Sequence, residues 1–176
     1  PVVRGTIEAA LMVRDNLRHR RDIENAYVIA MHRAHDQIVI ASAYFFPGRR
    51  FRKALLAAAK RGVRVKLLLQ GRVEYFLQHY ATQSLYARML SAGVRVFEYE
   101  RGFLHAKVAV IDSDWATVGS SNIDPFSLLM SREANVVVRD DGFAGQLRAS
   151  LEVAIEGAAR EIRPEDHRRR SWLARL

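Results

Sequence analysis

Two side chains with chemical potential stand two residues apart in an otherwise apolar run, His105 and Lys107 in Gly102-Phe-Leu-His-Ala-Lys-Val-Ala-Val-Ile111. One hairpin later comes the turn Gly119-Ser120-Ser121-Asn122. In a strand successive side chains alternate faces, so His105, Lys107, Ala109 and Ile111 share one face and Ala106, Val108, Val110 and Asp112 the other. The imidazole and the ammonium therefore project together. A lysine on such a strand is costly unless an anion meets its ammonium, which points to a negatively charged ligand. Asp112 faces away from His105 and is better cast as a structural carboxylate than as its proton acceptor.

The spacing H-x-K-x-x-x-x-D followed by G-S-x-N resembles the signature of the phospholipase D superfamily, carried here by His105, Lys107, Asp112, Gly119, Ser120 and Asn122, with Glu133 at the place of the downstream acid. The segments AYFFPG and VRDNLRHRRDIENAY extend the likeness to the C-terminal half of bacterial cardiolipin synthases of the two-motif type. The resemblance implies a catalytic group of His105, Lys107, Asp112 and Glu133. In it, His105 is the nucleophile that forms a phosphohistidine or its general acid/base counterpart, and Glu133 fixes the imidazole. Lys107, Ser120 and Asn122 would hold the phosphate oxygens, with Gly119 and Asp124 as structural neighbours. It implies no metal and no cofactor.

By the same resemblance the expected activity is phosphatidyl transfer, forming cardiolipin from phosphatidylglycerol and a second phospholipid at the cytoplasmic face of a bacterial inner membrane. The family builds one site from two such motifs, and this chain carries one. The expected partner is the N-terminal motif-bearing half of the same enzyme, with a homodimer mate as the other arrangement; the start at Pro1 suits a C-terminal piece. Two alternatives compete: a metal-independent nuclease working on nucleic acid as a homodimer, and a phosphate-binding module without catalysis. The apolar side chains Phe103, Leu104, Phe126, Leu128, Leu129 and Met130 near the motif favour a lipid, although bases could stack on similar residues.

The elements that must position these groups follow from periodicity. Ile23, Ala26, Tyr27, Ala30, Met31 and Ala34 fall at helical spacing, with Asp22 placed to cap them. Gln37 to Phe46 reads as a buried strand ended by Pro47 and Gly48. A helix over Phe51 to Arg61, a strand over Val63 to Leu69, a helix through Leu85 and Met89, and a strand over Val94 to Tyr99 continue the alternation. The rhythm then changes to strand and hairpin, with strands expected over His105 to Ile111, Trp115 to Val118 and Asn135 to Arg139. A last helix is expected over Phe143 to Ala159, and Ala9 to Val13 reads as a further strand. The class predicted is α/β, a mixed and mostly parallel sheet sandwiched between helices, as one domain over residues 1–176.

Composition bounds the partners. The 176 residues carry a formal charge of +9 and no cysteine, which excludes disulfides and thiolate metal sites and favours polyanions: nucleic acid, an anionic lipid surface or a phosphorylated substrate. No apolar run reaches the ~18 residues of a bilayer span. The tail HRRRSWLARL sets arginines beside Trp172 and leucines, a pattern suited to an anionic membrane surface. His19, His32, His35, His79 and His167 lack partners at a telling spacing, and Asp15 and Asn16 either approach the site from a strand end or cap a helix.

Overall fold

The computed structural model describes residues 5–15, 18–72, 76–124 and 131–166. Elements follow in the order β1 (Glu8–Arg14), α1 (Asp22–Arg33), β2 (Gln37–Ser42), α2 (Arg49–Lys60), β3 (Arg64–Gln70), α3 (Phe76–Ser91), β4 (Arg95–Tyr99), β5 (Lys107–Ile111), β6 (Trp115–Gly119), β7 (Glu133–Arg139), α4 (Asp141–Ala158) and β8 (Ala159–Ile162). They build one eight-stranded sheet in the order β1-β7-β6-β5-β2-β3-β4-β8.

The α/β class is as expected, but the sheet is not mostly parallel. Only β2-β3 and β3-β4 pair in parallel, while the other five ladders are antiparallel. The helical crossovers α2 and α3 allow parallel pairing where they occur; β5-β6 is a hairpin, and β1-β7, β2-β5 and β4-β8 are antiparallel ladders between strands far apart in the chain.

Helices α1, α2 and α3 cover one face, packing Tyr27, Met31, Leu55 and Met89 against Ile38, Ile40, Leu67 and Val96. Helix α4 covers the other with Ala144, Leu151 and Ile155 against Val39, Leu68 and Val110. The central strands are buried on both faces, which is why they read as unbroken apolar runs. Helix α4 leaves a strip of its face uncovered: Leu11, Val136 and Val118 are cross-strand neighbours, exposed by 67%, 40% and 40%.

Boundaries shift where side chains intervene. Strand β2 ends at Ser42 rather than Phe46, because the chain bends as Ser42 Oγ donates to the Tyr44 carbonyl at 2.8 Å. Asp22 sits in the first turn of α1 instead of capping it, and pairs with His19 Nδ1 at 2.7 Å. Asp15 accepts from the Arg18 and His19 backbone N–H groups and so braces the turn before α1; it does not cap the helix, whose N-cap is Arg21. Strand β8 lies beyond the sequence expectation: α4 runs directly into it at Ala158–Ala159, with only Gly157 in its last turn as a break, and Arg160 and Glu161 suggest no strand. It is held by ion pairs across the ladder to β4, Arg95 to Glu161 at 2.7 Å and Arg160 to the buried Glu98 at 3.1 Å. Residue Asn16, the apolar group 126–130 and the tail 167–176 lie outside the described residues.

Candidate active site

Strands β2, β3 and β4 end, and β5 and β7 begin, at one edge of the sheet, and the motif residues collect there. Lys107 opens β5 opposite Ser42, the last residue of β2. The Ala43 N–H donates to the Ala106 carbonyl at 3.0 Å, extending the ladder to the residue between His105 and Lys107. From the other side, Gln70 at the end of β3 accepts the Leu104 N–H on Oε1 at 3.2 Å. The segment bearing His105 is thus tied to both neighbouring strand ends although it precedes β5.

As face alternation predicts, the two side chains converge: Lys107 Nζ lies 3.2 Å from His105 Nε2 and 3.5 Å from the His105 carbonyl. An ammonium only donates, so in this contact Nε2 presents its lone pair. Lys107 is buried, with 8% of its surface accessible, and His105 is exposed. A fixed buried cation beside an accessible imidazole can neutralise an anionic oxygen while a ring nitrogen attacks the atom that bears it.

The Gly119–Asn122 turn meets this edge from β6. A Cβ on Gly119 would fall 2.2 Å from Asn135 Oδ1 and 2.5 Å from the Ala134 carbonyl, so close backbone approach, not an unusual φ, demands glycine. Asn135, almost fully buried, accepts the Ser121 N–H at 3.3 Å and donates to Thr117 Oγ1 at 3.2 Å. The AYFFPG segment anchors the far side of the turn: Phe45 bridges to Ile123, and the Phe46 N–H donates to the Ile123 carbonyl at 2.7 Å. Phe45 is buried and edge-on to Phe51, whereas Tyr44 and Phe46 are half-buried.

Glu133 and Asp112, both catalytic by the resemblance, meet a different geometry. Glu133 does not hold His105 among the described residues: its Oε2 accepts from Ser120 Oγ, so the acid and the hydroxyl expected to face phosphate are engaged with each other. Asp112 is at the opposite end of β5 from Lys107. There its carboxylate accepts the backbone N–H groups of His35, Asp36 and Gln37 at 2.9 to 3.1 Å, and His35 Nδ1 lies 2.9 Å away. It fixes the entry to β2 from a turn in which its own φ is 52°, a left-handed conformation aspartate tolerates. Asp124 is buried at the site edge, and its charge, like that of Glu133, acts on a residue the sequence reading passed over.

That residue is Arg14. It ends β1 directly opposite Glu133, is fully buried, and donates through Nη1 to the Ser131 carbonyl at 3.2 Å. Burial pulls its pKa below the ordinary guanidinium value, Glu133 pushes it back up, Arg20 lowers it, and Asp124 raises it. The signal available was a charge closing an apolar strand, EAALMVR; Asn135 inside the apolar β7 is a similar signal. Among the described residues no three His, Asp or Glu side chains group as a metal site.

An open, helix-flanked mixed sheet with an H-x-K pair at the strand ends defines a phospholipase D-like unit. The phospholipase D family member Nuc from Salmonella typhimurium has the same fold, with a TM-score of 0.73 at 22% identity over 90% of this chain and 99% of Nuc. So does phosphatidylserine synthase of Haemophilus influenzae, with a TM-score of 0.71 at 12% identity over 98% of this chain and 46% of that one. Residues 27–154 match the family described as "Cardiolipin synthase, PLD-like domain", and the chain belongs to that family. It is 44% identical over 168 residues to cardiolipin synthase B of Escherichia coli, which covers 96% of this chain and 41% of the relative. Cardiolipin synthase A of Pseudomonas aeruginosa is 43% identical over 81% of this chain and 29% of its own length. The chain thus spans about two-fifths of the length of the most similar of these curated relatives.

Proposed function

We propose that this chain is one half of the catalytic unit of a phosphatidyl transferase, which forms cardiolipin from phosphatidylglycerol and a second phospholipid. The observation that carries the reading is the 3.2 Å contact between His105 Nε2 and Lys107 Nζ at a sheet edge that also holds Ser120, Asn122 and Glu133. One imidazole attacks the diester phosphorus, a P–N bond forms, the P–O bond to the headgroup alcohol breaks, and a second acid protonates the departing oxygen. The hydroxyl of phosphatidylglycerol then attacks the same phosphorus, the P–N bond breaks, and a base takes the hydroxyl proton. Lys107 and Asn122 neutralise and orient the non-bridging oxygens in both steps, and Ser120 and Glu133 brace the edge. His105 serves as nucleophile or as acid.

The second histidine comes from another motif-bearing half of the same enzyme. The uncovered strip Leu11, Val136 and Val118 supports this, because it borders Glu133 and Gly119 and offers an apolar face on which such a half can pack. The enzyme works peripherally at the cytoplasmic face of a bacterial inner membrane; no described helix is long and apolar enough to cross one. Incubating the intact enzyme with phosphatidylglycerol and resolving lipids by mass spectrometry tests the reading. Cardiolipin that vanishes in His105→Ala supports it, and the same product profile in both proteins defeats it. The charge of +9 also suits a nuclease, and cleavage of plasmid DNA in chelator with no lipid product would select that reaction.

A further inference from the structure

Beside the candidate site stands an aromatic ring that internal packing does not use. Phe103, two residues before His105, is 64% exposed, and the Arg72 guanidinium lies over its ring at 5.8 Å from the centroid. The two come from successive connections, Arg72 after β3 and Phe103 after β4. Because β2, β3 and β4 are parallel, both leave the sheet at the same end as His105. Arg72 Nε also donates to the Glu100 carbonyl at 3.3 Å, which fixes the stem of the pair. The Glu100 carboxylate is already engaged by Arg160 at 2.9 Å, and exposed Arg101 has no carboxylate partner among the described residues. Exposed Arg49 opens α2 at this same end. Single exposed apolar residues are ordinary on a protein surface. This one lies under the Arg72 guanidinium, and it stands two residues from exposed Arg101 and two from His105 in the same connection.

We propose that Phe103, with Arg72 and Arg101, is the point at which this chain touches an anionic phospholipid surface, which brings headgroup phosphates to the edge that carries His105 and Lys107. The ring enters the acyl boundary while the two guanidinium groups remain at the level of the phosphates, the division an amphipathic membrane contact requires. The inference rests on the lipid-substrate reading above and assigns the docking to the catalytic edge itself, not to the basic tail.

Sedimentation of the intact protein with vesicles of phosphatidylcholine alone, or mixed with phosphatidylglycerol, reads the contact. Phe103→Ser weakens binding to the mixed vesicles by about tenfold, the loss expected from withdrawing one phenyl ring from an apolar phase. Arg72→Gln weakens it by about fivefold, and only where phosphatidylglycerol is present. Phe103→Trp retains the binding, and equal thermal midpoints for all variants show that each is folded. Turnover of short-chain phosphatidylglycerol dissolved as monomers stays unchanged in Phe103→Ser. Wild-type binding by Phe103→Ser overturns the assignment, and so does an equal loss on the monomeric substrate, which would move Phe103 into the substrate pocket. If the wild type makes cardiolipin and Phe103→Ser binds vesicles normally, the docking falls and the transferase reading stands. If binding depends on Phe103 while no cardiolipin forms, the docking stands and the transferase reading falls.

Discussion

Replacing Gly119 with alanine is the most informative single perturbation of the site's scaffold. The added methyl would sit 2.2 Å from Asn135 Oδ1, 2.3 Å from its Cγ and 2.5 Å from the Ala134 carbonyl. No real Cβ tolerates such distances, so either β6 and β7 separate or the Asn135 side chain leaves its place. Forcing a methyl into packed surroundings costs about 1–3 kcal/mol. Moving Asn135 also forfeits its bonds to Ser121 N and Thr117 Oγ1, about 1 kcal/mol each. A loss of about 3–5 kcal/mol lowers the melting midpoint of a chain this size by about 6–20 °C. Because the displaced Ser121 N–H belongs to the turn that carries Ser120 and Asn122, turnover of the molecules that remain folded also falls. Circular-dichroism melts and urea titrations measure the first effect, and transferase assays well below the midpoint the second. Adding Asn135→Ala relieves the side-chain clash but not the carbonyl contact, so the double variant loses less than the sum of the singles by about 1 kcal/mol or more. A Gly119→Ala protein within about 0.5 kcal/mol of wild type and fully active would refute the reasoning.

Asp112→Ala removes the acceptor of three backbone N–H groups and destabilises by roughly 3 kcal/mol in urea titrations. Turnover per folded molecule changes no more than a few-fold, whereas a thousandfold loss at unchanged stability would return Asp112 to the reaction. Arg14→Met removes the fully buried cation that faces Glu133 and Asp124 and costs about 3 kcal/mol, read in the same titrations; a neutral outcome would mean that the two carboxylates need no buried cation. Burial pushes the Tyr27 hydroxyl well above its ordinary value near 10. Below that pH both folded and unfolded tyrosine are protonated and stability is insensitive to it. Above it the unfolded chain releases the proton first, so stability falls by about 1.4 kcal/mol per pH unit. Burial and the neighbouring Glu98 raise Tyr86 as well. Melting midpoints above about pH 10 should therefore drop, and less so in Tyr27→Phe; an unchanged slope in that variant would contradict the assignment.

Much of this site is legible from strand periodicity alone. The alternation that sends His105 and Lys107 to one face and Asp112 to the other is enough to predict both the convergence of the first two and the separation of the third. The β2-α2-β3-α3-β4 succession is equally readable, because buried parallel strands are apolar throughout. What escapes are features fixed by partners distant in sequence. Arg14 is recognisable only once β1 is known to pair with β7, which sets it opposite Glu133, 119 positions later. The engagement of Glu133 by Ser120 depends on the β6-β7 register, which no local pattern encodes. Strand β8 is stabilised by Arg95, Glu98 and Glu100 rather than by an apolar run, so its residues look like the frayed end of a helix. The predominance of antiparallel ladders follows from strand order, which short-range spacing does not determine.

The central claim is that His105 and Lys107 act as a unit on one diester phosphorus, and a double-mutant cycle on phosphatidyl transfer by the intact enzyme tests it most directly. His105→Ala and Lys107→Met should each lower turnover by about a hundredfold or more. The double variant should be no slower than the worse single by more than a few-fold, because groups that serve one step cannot be lost twice. Losses that multiply across the cycle, or a His105→Ala enzyme within a few-fold of wild type, would contradict the claim.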